Sequence, residues 1–141
     1  MPGELVPETI VEQGRSWAIA VNLNQNLIGR LIIVLNREAE AVTAVSPQEW
    51  SDLHREVART RHALDDMFQP DQYNYAFLMN QVAQVHLHVV PRYAEQRTWS
   101  GARFEDNYYG ELFGREQRIL PTDQLARLAT EVRSRLPPWG E

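Results

Sequence analysis

The chain has no cysteine and no lysine, and no run of apolar residues long enough to cross a membrane. Without cysteine there are no disulfides, thiolate nucleophiles, zinc–thiolate sites or iron–sulfur clusters. Without lysine, Schiff-base chemistry, a P-loop lysine and a lysine adenylate are excluded together. All 14 basic residues are therefore arginine, and 19 acidic residues bring the formal net charge to −5. That balance argues against wrapping DNA or RNA, so nucleic acid is not an expected partner, although a small nucleotide can still find a favourable pocket. No stretch approaches 18 apolar residues, and the N-terminus shows neither a basic leader nor a hydrophobic signal segment. The expectation is a cytoplasmic protein with no membrane partner. At 141 residues it reads as one domain over 1–141, held together by packing alone.

What is present is concentrated in Gln84-Val85-His86-Leu87-His88-Val89-Val90-Pro91-Arg92-Tyr93. In an extended segment alternate side chains leave opposite faces, which sends Val85, Leu87 and Val89 one way and Gln84, His86 and His88 the other. At a rise of roughly 3.3 Å per residue the two histidine Cα atoms stand about 6.6 Å apart, within joint reach of one small anion. Pro91, which cannot donate to a ladder, is expected to end the strand.

Around this segment the chain alternates strand and helix patterns. After a polar lead, residues 17–23 and the β-branched run 29–36 read as a hairpin across an Asn-rich turn. Ser46-Pro47-Gln48-Glu49 carries a capping-box signature that starts a helix running to Phe68. Its apolar residues Trp50, Leu53, Val57, Leu64 and Phe68 share one face, with Arg55, Glu56, Arg59 and Asp65 on or near the other. Residues 73–79 form a further strand expected to pair antiparallel with the histidine strand, and residues 94–118 read as an ordered loop. A last helix opens at Pro121-Thr122-Asp123, faces Leu125, Leu128, Ala129, Val132 and Leu136 inward, and stops at Pro137-Pro138. The sum is an α+β domain, an antiparallel sheet of about five strands with two main helices on one face.

His54 and His62 lie within the long helix and read as surface positions. For His86 and His88 three readings stand: the solvated face of a strand, a metal site in need of a third ligand, or nucleophilic catalysis on phosphorus. In the last, like-charge repulsion between the rings disfavours protonation of either.

The segment resembles the signature of the histidine triad (HIT) family, His-φ-His-φ-His-φ-φ with φ apolar, here followed by Pro91-Arg92. His86 matches the middle histidine and His88 the third, while Gln84 occupies the first place, as in variants with Gln-φ-His-φ-His. Upstream, Gly29-Arg30-Leu31-Ile32-Ile33-Val34 resembles the family's Gly-His-hydrophobic strand, with Arg30 in the histidine's place. Asn22 falls where a ribose-binding Asp is usual, and Asn80 resembles the Asn that closes the strand before the signature. The resemblance implies a metal-free and cofactor-free nucleotide hydrolase or transferase that cleaves a phosphoanhydride or phosphoramidate at a nucleoside α-phosphate. It assigns His86 as nucleophile, forming a nucleotidyl-histidine, and His88 to the phosphate and leaving group. Gln84 would support the site by hydrogen bonding, Asn22 would hold the ribose, and Ile19 and Leu23 would flank the base. The implied ligand is a purine nucleotide or dinucleoside polyphosphate, and the implied assembly a homodimer. Three departures matter: Gln84 cannot exchange a proton, Arg30 is a fixed charge that would bind the nucleotide phosphate but cannot act as a base, and the connection from Asn80 to His86 is shorter than the family's Gly-Gln-Ser loop. The missing first histidine and the shortened loop favour the alternative of a catalytically weak nucleotide-binding or sensor module.

Overall fold

The computed structural model describes residues 5–140. Five strands make one antiparallel sheet: β1 (Ile10–Gln13), β2 (Trp17–Val21), β3 (Leu31–Leu35), β4 (Gln72–Ala76) and β5 (His86–Arg92), in the order β1-β2-β3-β5-β4. β2 and β3 form the expected hairpin, with Trp17 opposite Leu35 and Val21 opposite Leu31. β5 lies between β3 and β4 and pairs antiparallel with both. Two helices, α1 (Pro47–Phe68) and α2 (Thr122–Arg135), complete the α+β architecture.

Alternation along the strands decides which residues meet the helices. Trp17, Ile19, Leu31, Ile33, Leu35, Leu87 and Val89 share a buried cluster with Leu53, Leu64 and Phe68 of α1 and Leu128 and Val132 of α2. The opposite face carries Ile32, Val34, His86 and His88, because Ile32 pairs with His88 and Val34 with His86.

α1 begins where its capping box requires. The Ser46 side chain accepts from the Glu49 amide, and the Glu49 carboxylate accepts from the Ser46 amide. The Arg37 guanidinium hydrogen-bonded to the Glu49 carboxyl holds it down at about 2 against the opposing effect of burial, with Ser46 adding to the lowering.

The hairpin turn is internally bonded. The buried Gln25 amide donates to the carbonyls of Asn22 and Arg30 and accepts from the Gly29 amide. Gly29 adopts φ +93°, and a Cβ there would come within 3.1–3.2 Å of Leu64 and Phe68. Its lack of a side chain allows both the left-handed turn and the close approach of α1.

Several expectations change. Ile10–Gln13, read as part of a polar lead, is strand β1, and within 94–118 a hairpin forms from β6 (Arg97–Trp99) and β7 (Ala102–Phe104). Pro91 does not end its strand: it sits inside β5 opposite Tyr73, where pairing with β3 has already stopped at Val89. One side of the strand has no ladder there, so the missing N–H does no harm. Glu56 and Arg59 are buried on α1 in place of solvated, because Arg59 bridges Glu12 of β1 and Glu56 and donates to the carbonyl of Pro137. Trp50 is turned outward and meets Phe77 edge-on, 5.8 Å between ring centres. His54 and His62 are exposed, as expected.

Candidate active site

The strands deliver both imidazoles to one cleft. It occupies about 490 Å³ between the histidine face of β5, the turn that follows β2, and the segment after β4. His86, His88, Asn22, Leu23 and Asn80 all line it. The two rings lie 4.9 Å apart, centre to centre, with planes at 60°. They converge on the cleft and are only half-buried.

His86 is oriented by the main chain. Its Nδ1 lies 2.6 Å from the carbonyl oxygen of Gln84. A carbonyl only accepts, so Nδ1 carries the hydrogen, and in the neutral ring the lone pair resides on Nε2. The ring is held in the tautomer a nucleophile needs.

His88 is more enclosed. Its Nδ1 is buried and has no hydrogen-bond partner among the described residues, so Nε2 is the ring nitrogen left to face the cleft. Burial first, then the neighbouring His86 and the Arg30 guanidinium, lower its pKa to about 4. Burial, more than the repulsion between adjacent rings, thus disfavours the charged form of His88.

Three expected residues do not reach the cleft with their side chains. Gln84 precedes β5, so strand alternation does not govern it. Its amide donates to the carbonyls of Leu35 and Arg37 and accepts from the Ala39 amide, which commits the side chain to the exit of β3. Support for His86 comes from the Gln84 main chain. Ile19 is fully buried in the cluster beneath the helices, because it lies on the opposite face of β2 from the cleft. Leu23 lies beyond the end of β2, escapes that alternation and stands exposed at the cleft. Arg30 is buried, with its guanidinium donating to Asn26 Oδ1 at 2.9 Å and stacked on Phe113.

Asn22 keeps its Oδ1 engaged by the Asn24 amide, so a bound hydroxyl would meet its Nδ2. Sequence reasoning missed Ile32 and the wall formed by Leu78, Met79 and Val82. Ile32 is legible in hindsight as the cross-strand partner of His88. Met79 adopts φ +47°, a left-handed conformation that costs a non-glycine residue on the order of 1 kcal/mol. β4 ends at Ala76, three residues before the expected limit, and the chain that follows it lines the cleft.

Among the described residues no three His, Asp or Glu side chains are grouped to hold a metal ion, so the metal reading of His86 and His88 finds no third ligand. No described helix is long and apolar enough to cross a membrane.

This arrangement of five antiparallel strands, two helices and a paired-histidine strand is the fold of histidine triad proteins. A histidine triad protein of Bradyrhizobium japonicum superposes with a TM-score of 0.69 at 19% identity, over 92% of each chain. A histidine triad protein of Sinorhizobium meliloti gives 0.70 at 19%, over 90% of this chain and 88% of the other. The diadenosine triphosphate hydrolase of Plasmodium falciparum gives 0.69 at 14%, over 94% and 78%. Among curated proteins none matches the sequence. The sequence pattern of the HIT domain matches residues 5–95, and the chain belongs to that family.

Proposed function

We propose that the chain, as one HIT-like domain, is a nucleotide hydrolase or transferase acting at the α-phosphate of a nucleoside phosphoanhydride or phosphoramidate. The observation that carries this is the 2.6 Å contact of His86 Nδ1 with the Gln84 carbonyl, which leaves the Nε2 lone pair beside a neutral His88 in a cleft of nucleotide size.

His86 Nε2 attacks phosphorus, forming a P–N bond as the bond from phosphorus to the leaving group breaks. The ring becomes cationic, and the Gln84 carbonyl stabilises it through the Nδ1 hydrogen. Water then attacks the phosphorus, its electron pair forming the new P–O bond as the P–N pair returns to Nε2; one proton of the water passes to solvent, and the nucleoside monophosphate leaves a neutral ring. His88 contacts the phosphate and leaving group, Asn22 holds the ribose, Asn80 borders the phosphate, and Leu23 flanks a purine. Ile19 is too deeply buried to touch a base.

A homodimer is part of this reading. β4 is a sheet edge, and Tyr75 on it and the nearby Trp50 are exposed, a surface suited to pairing with a second copy.

A second reading is a module that binds nucleotide with little turnover. It is favoured by a cleft whose described lining residues include no Arg, Asp or Glu, so few groups stabilise developing charge.

The test is incubation with adenosine phosphoramidate and diadenosine tetraphosphate, with intact mass measured shortly after mixing. A nucleotidyl adduct on the wild type, absent from His86→Asn together with turnover, is the expected result. Equal turnover in both proteins removes His86 as nucleophile. Tight AMP binding by calorimetry with no product selects the second reading.

A further inference from the structure

Ile32 of β3 pairs with His88 on one side and with Ala20 of β2 on the other, so two strand spacings of about 4.8 Å each separate the histidine strand from β2. A nucleoside phosphate with its phosphorus at His86 brings its sugar across that interval to β2. Two residues on from Ala20, Asn22 continues the pairing and shares the cleft face, its amide donating to the Arg30 carbonyl at 3.0 Å. The other described lining on this side is Leu5, Val6, Thr9, Val21 and Leu23. Thr9 is buried and its hydroxyl is committed to the Val6 carbonyl at 2.7 Å, which leaves Asn22 as the polar side chain able to meet a ligand there.

Asn22 is held in one orientation. Its carbonyl accepts from the fully buried Gln25 side chain at 2.7 Å, and its Oδ1 accepts from the Asn24 amide at 2.9 Å. The second bond decides which end of the carboxamide faces outward, because Nδ2 has no lone pair to offer the Asn24 N–H. Nδ2 has no hydrogen-bond partner among the described residues and is open to solvent, a free donor at the cleft. A donor asks only for an acceptor. A ribose hydroxyl both donates and accepts, and here only its lone pair is read. Removing that hydroxyl lets water take its place on Nδ2, at small cost. Replacing it by a phosphate ester supplies a stronger, charge-assisted acceptor, and the described lining holds no Asp or Glu to repel it.

We propose that Asn22 sets the sugar specificity of the cleft: as a fixed donor it reads an acceptor and not a diol, so a deoxyribose and a ribose carrying its own phosphate ester are bound as readily as plain ribose. This inference rests on the reading of the cleft as a nucleotide site with its phosphorus at His86.

The test is titration calorimetry of the full chain with three nucleotides: AMP, deoxy-AMP, and AMP bearing a second phosphate on its ribose. In the wild type both analogues should bind within about fivefold of AMP, or more tightly. In Asn22→Asp one carboxylate oxygen still accepts from the Asn24 N–H while the other turns a charged acceptor to the cleft. That variant should favour AMP over deoxy-AMP by about tenfold or more, and should weaken the doubly phosphorylated nucleotide relative to AMP by at least as much. A wild type that binds either analogue more than about fivefold weaker than AMP overturns the proposal, as do ratios that stay the same in Asn22→Asp. Those outcomes leave the nucleotide reading of the cleft standing. Failure of all three nucleotides to bind the wild type removes that reading, and this inference with it. The wild-type ratios need no variant and no turnover, so they decide the matter even where Asn22→Asp does not fold, and they do not depend on His86 being a nucleophile.

Discussion

The side-chain amide of Gln84 donates to the carbonyl oxygen of Leu35 across 2.9 Å, tying a residue two positions ahead of the histidine strand to the last residue of β3. Two further bonds, to the Arg37 carbonyl and from the Ala39 amide, make this position a clamp on the chain leaving β3. Gln84→Ala should therefore destabilise the fold by about 1–3 kcal/mol, because it leaves buried backbone groups without partners. The carbonyl that orients His86 survives the substitution. Chemical denaturation and the rate per folded molecule check the two halves separately: stability should fall, and turnover should fall much less than in His86→Asn.

Arg92 is buried on the face opposite the helices, where it donates to Asp106, Asn74 and the carbonyls of Tyr108 and Glu111. Arg92→Met leaves the Asp106 carboxylate buried without its partner, and a loss of roughly 3–5 kcal/mol is expected in a thermal or denaturant melt. Burial pushes the Asp106 carboxyl up, but Arg92 and the amides of Tyr93 and Tyr108 outweigh it and hold the carboxyl below its ordinary value. A depressed folded value means stability that is complete above the unfolded pKa of about 4 and is lost as pH falls through the folded one. Asp106→Asn should lower stability at pH 7 and flatten this acid limb. A limb unchanged in Asp106→Asn would assign the acid sensitivity to other carboxylates.

His88 works in a related way with an imidazole. Its folded pKa of about 4 lies below the ordinary 6.5, so the unfolded chain binds the proton more readily between those values. Stability should fall as pH is lowered from about 6.5 toward about 4, and His88→Gln should remove that part of the slope. Denaturation midpoints at a series of pH values make the comparison. Parallel curves for the two proteins would mean that the ring is not desolvated.

Gly29→Ala tests the contact between the hairpin turn and α1. The new methyl would be forced into a φ of +93° and to within about 3.2 Å of Leu64 and Phe68. A loss of more than about 1 kcal/mol in unfolding free energy is expected. Asn at the same position tolerates the backbone but not the contact, so a milder effect of Gly29→Asn would identify the backbone as the main source.

The sequence by itself determined the elements whose signals are local. Four residues of capping box placed the start of α1, period-3.6 apolar spacing placed the inner face of α2, and the two histidines two residues apart on an extended run placed both rings on one side. These features depend on bonds or spacings within a few residues, which any fold containing them must respect. The tertiary structure decided the rest. Strands of three or four residues, as in β1 and the β6–β7 hairpin, are too short to show a period. Whether Ile19 or Leu23 reaches the cleft depended on where β2 stops pairing. Glu56 and Arg59 lie on the polar side of their helix by sequence, and only the arrival of β1 and the C-terminal segment buries them. Gln84 and Arg30 are polar side chains next to a polar site, and nothing local distinguishes a cleft from a backbone clamp or a buried stack. Their partners lie 45–49 residues away for Gln84 and 83 for the Phe113 ring against Arg30, and such partners become neighbours only when the sheet has assembled.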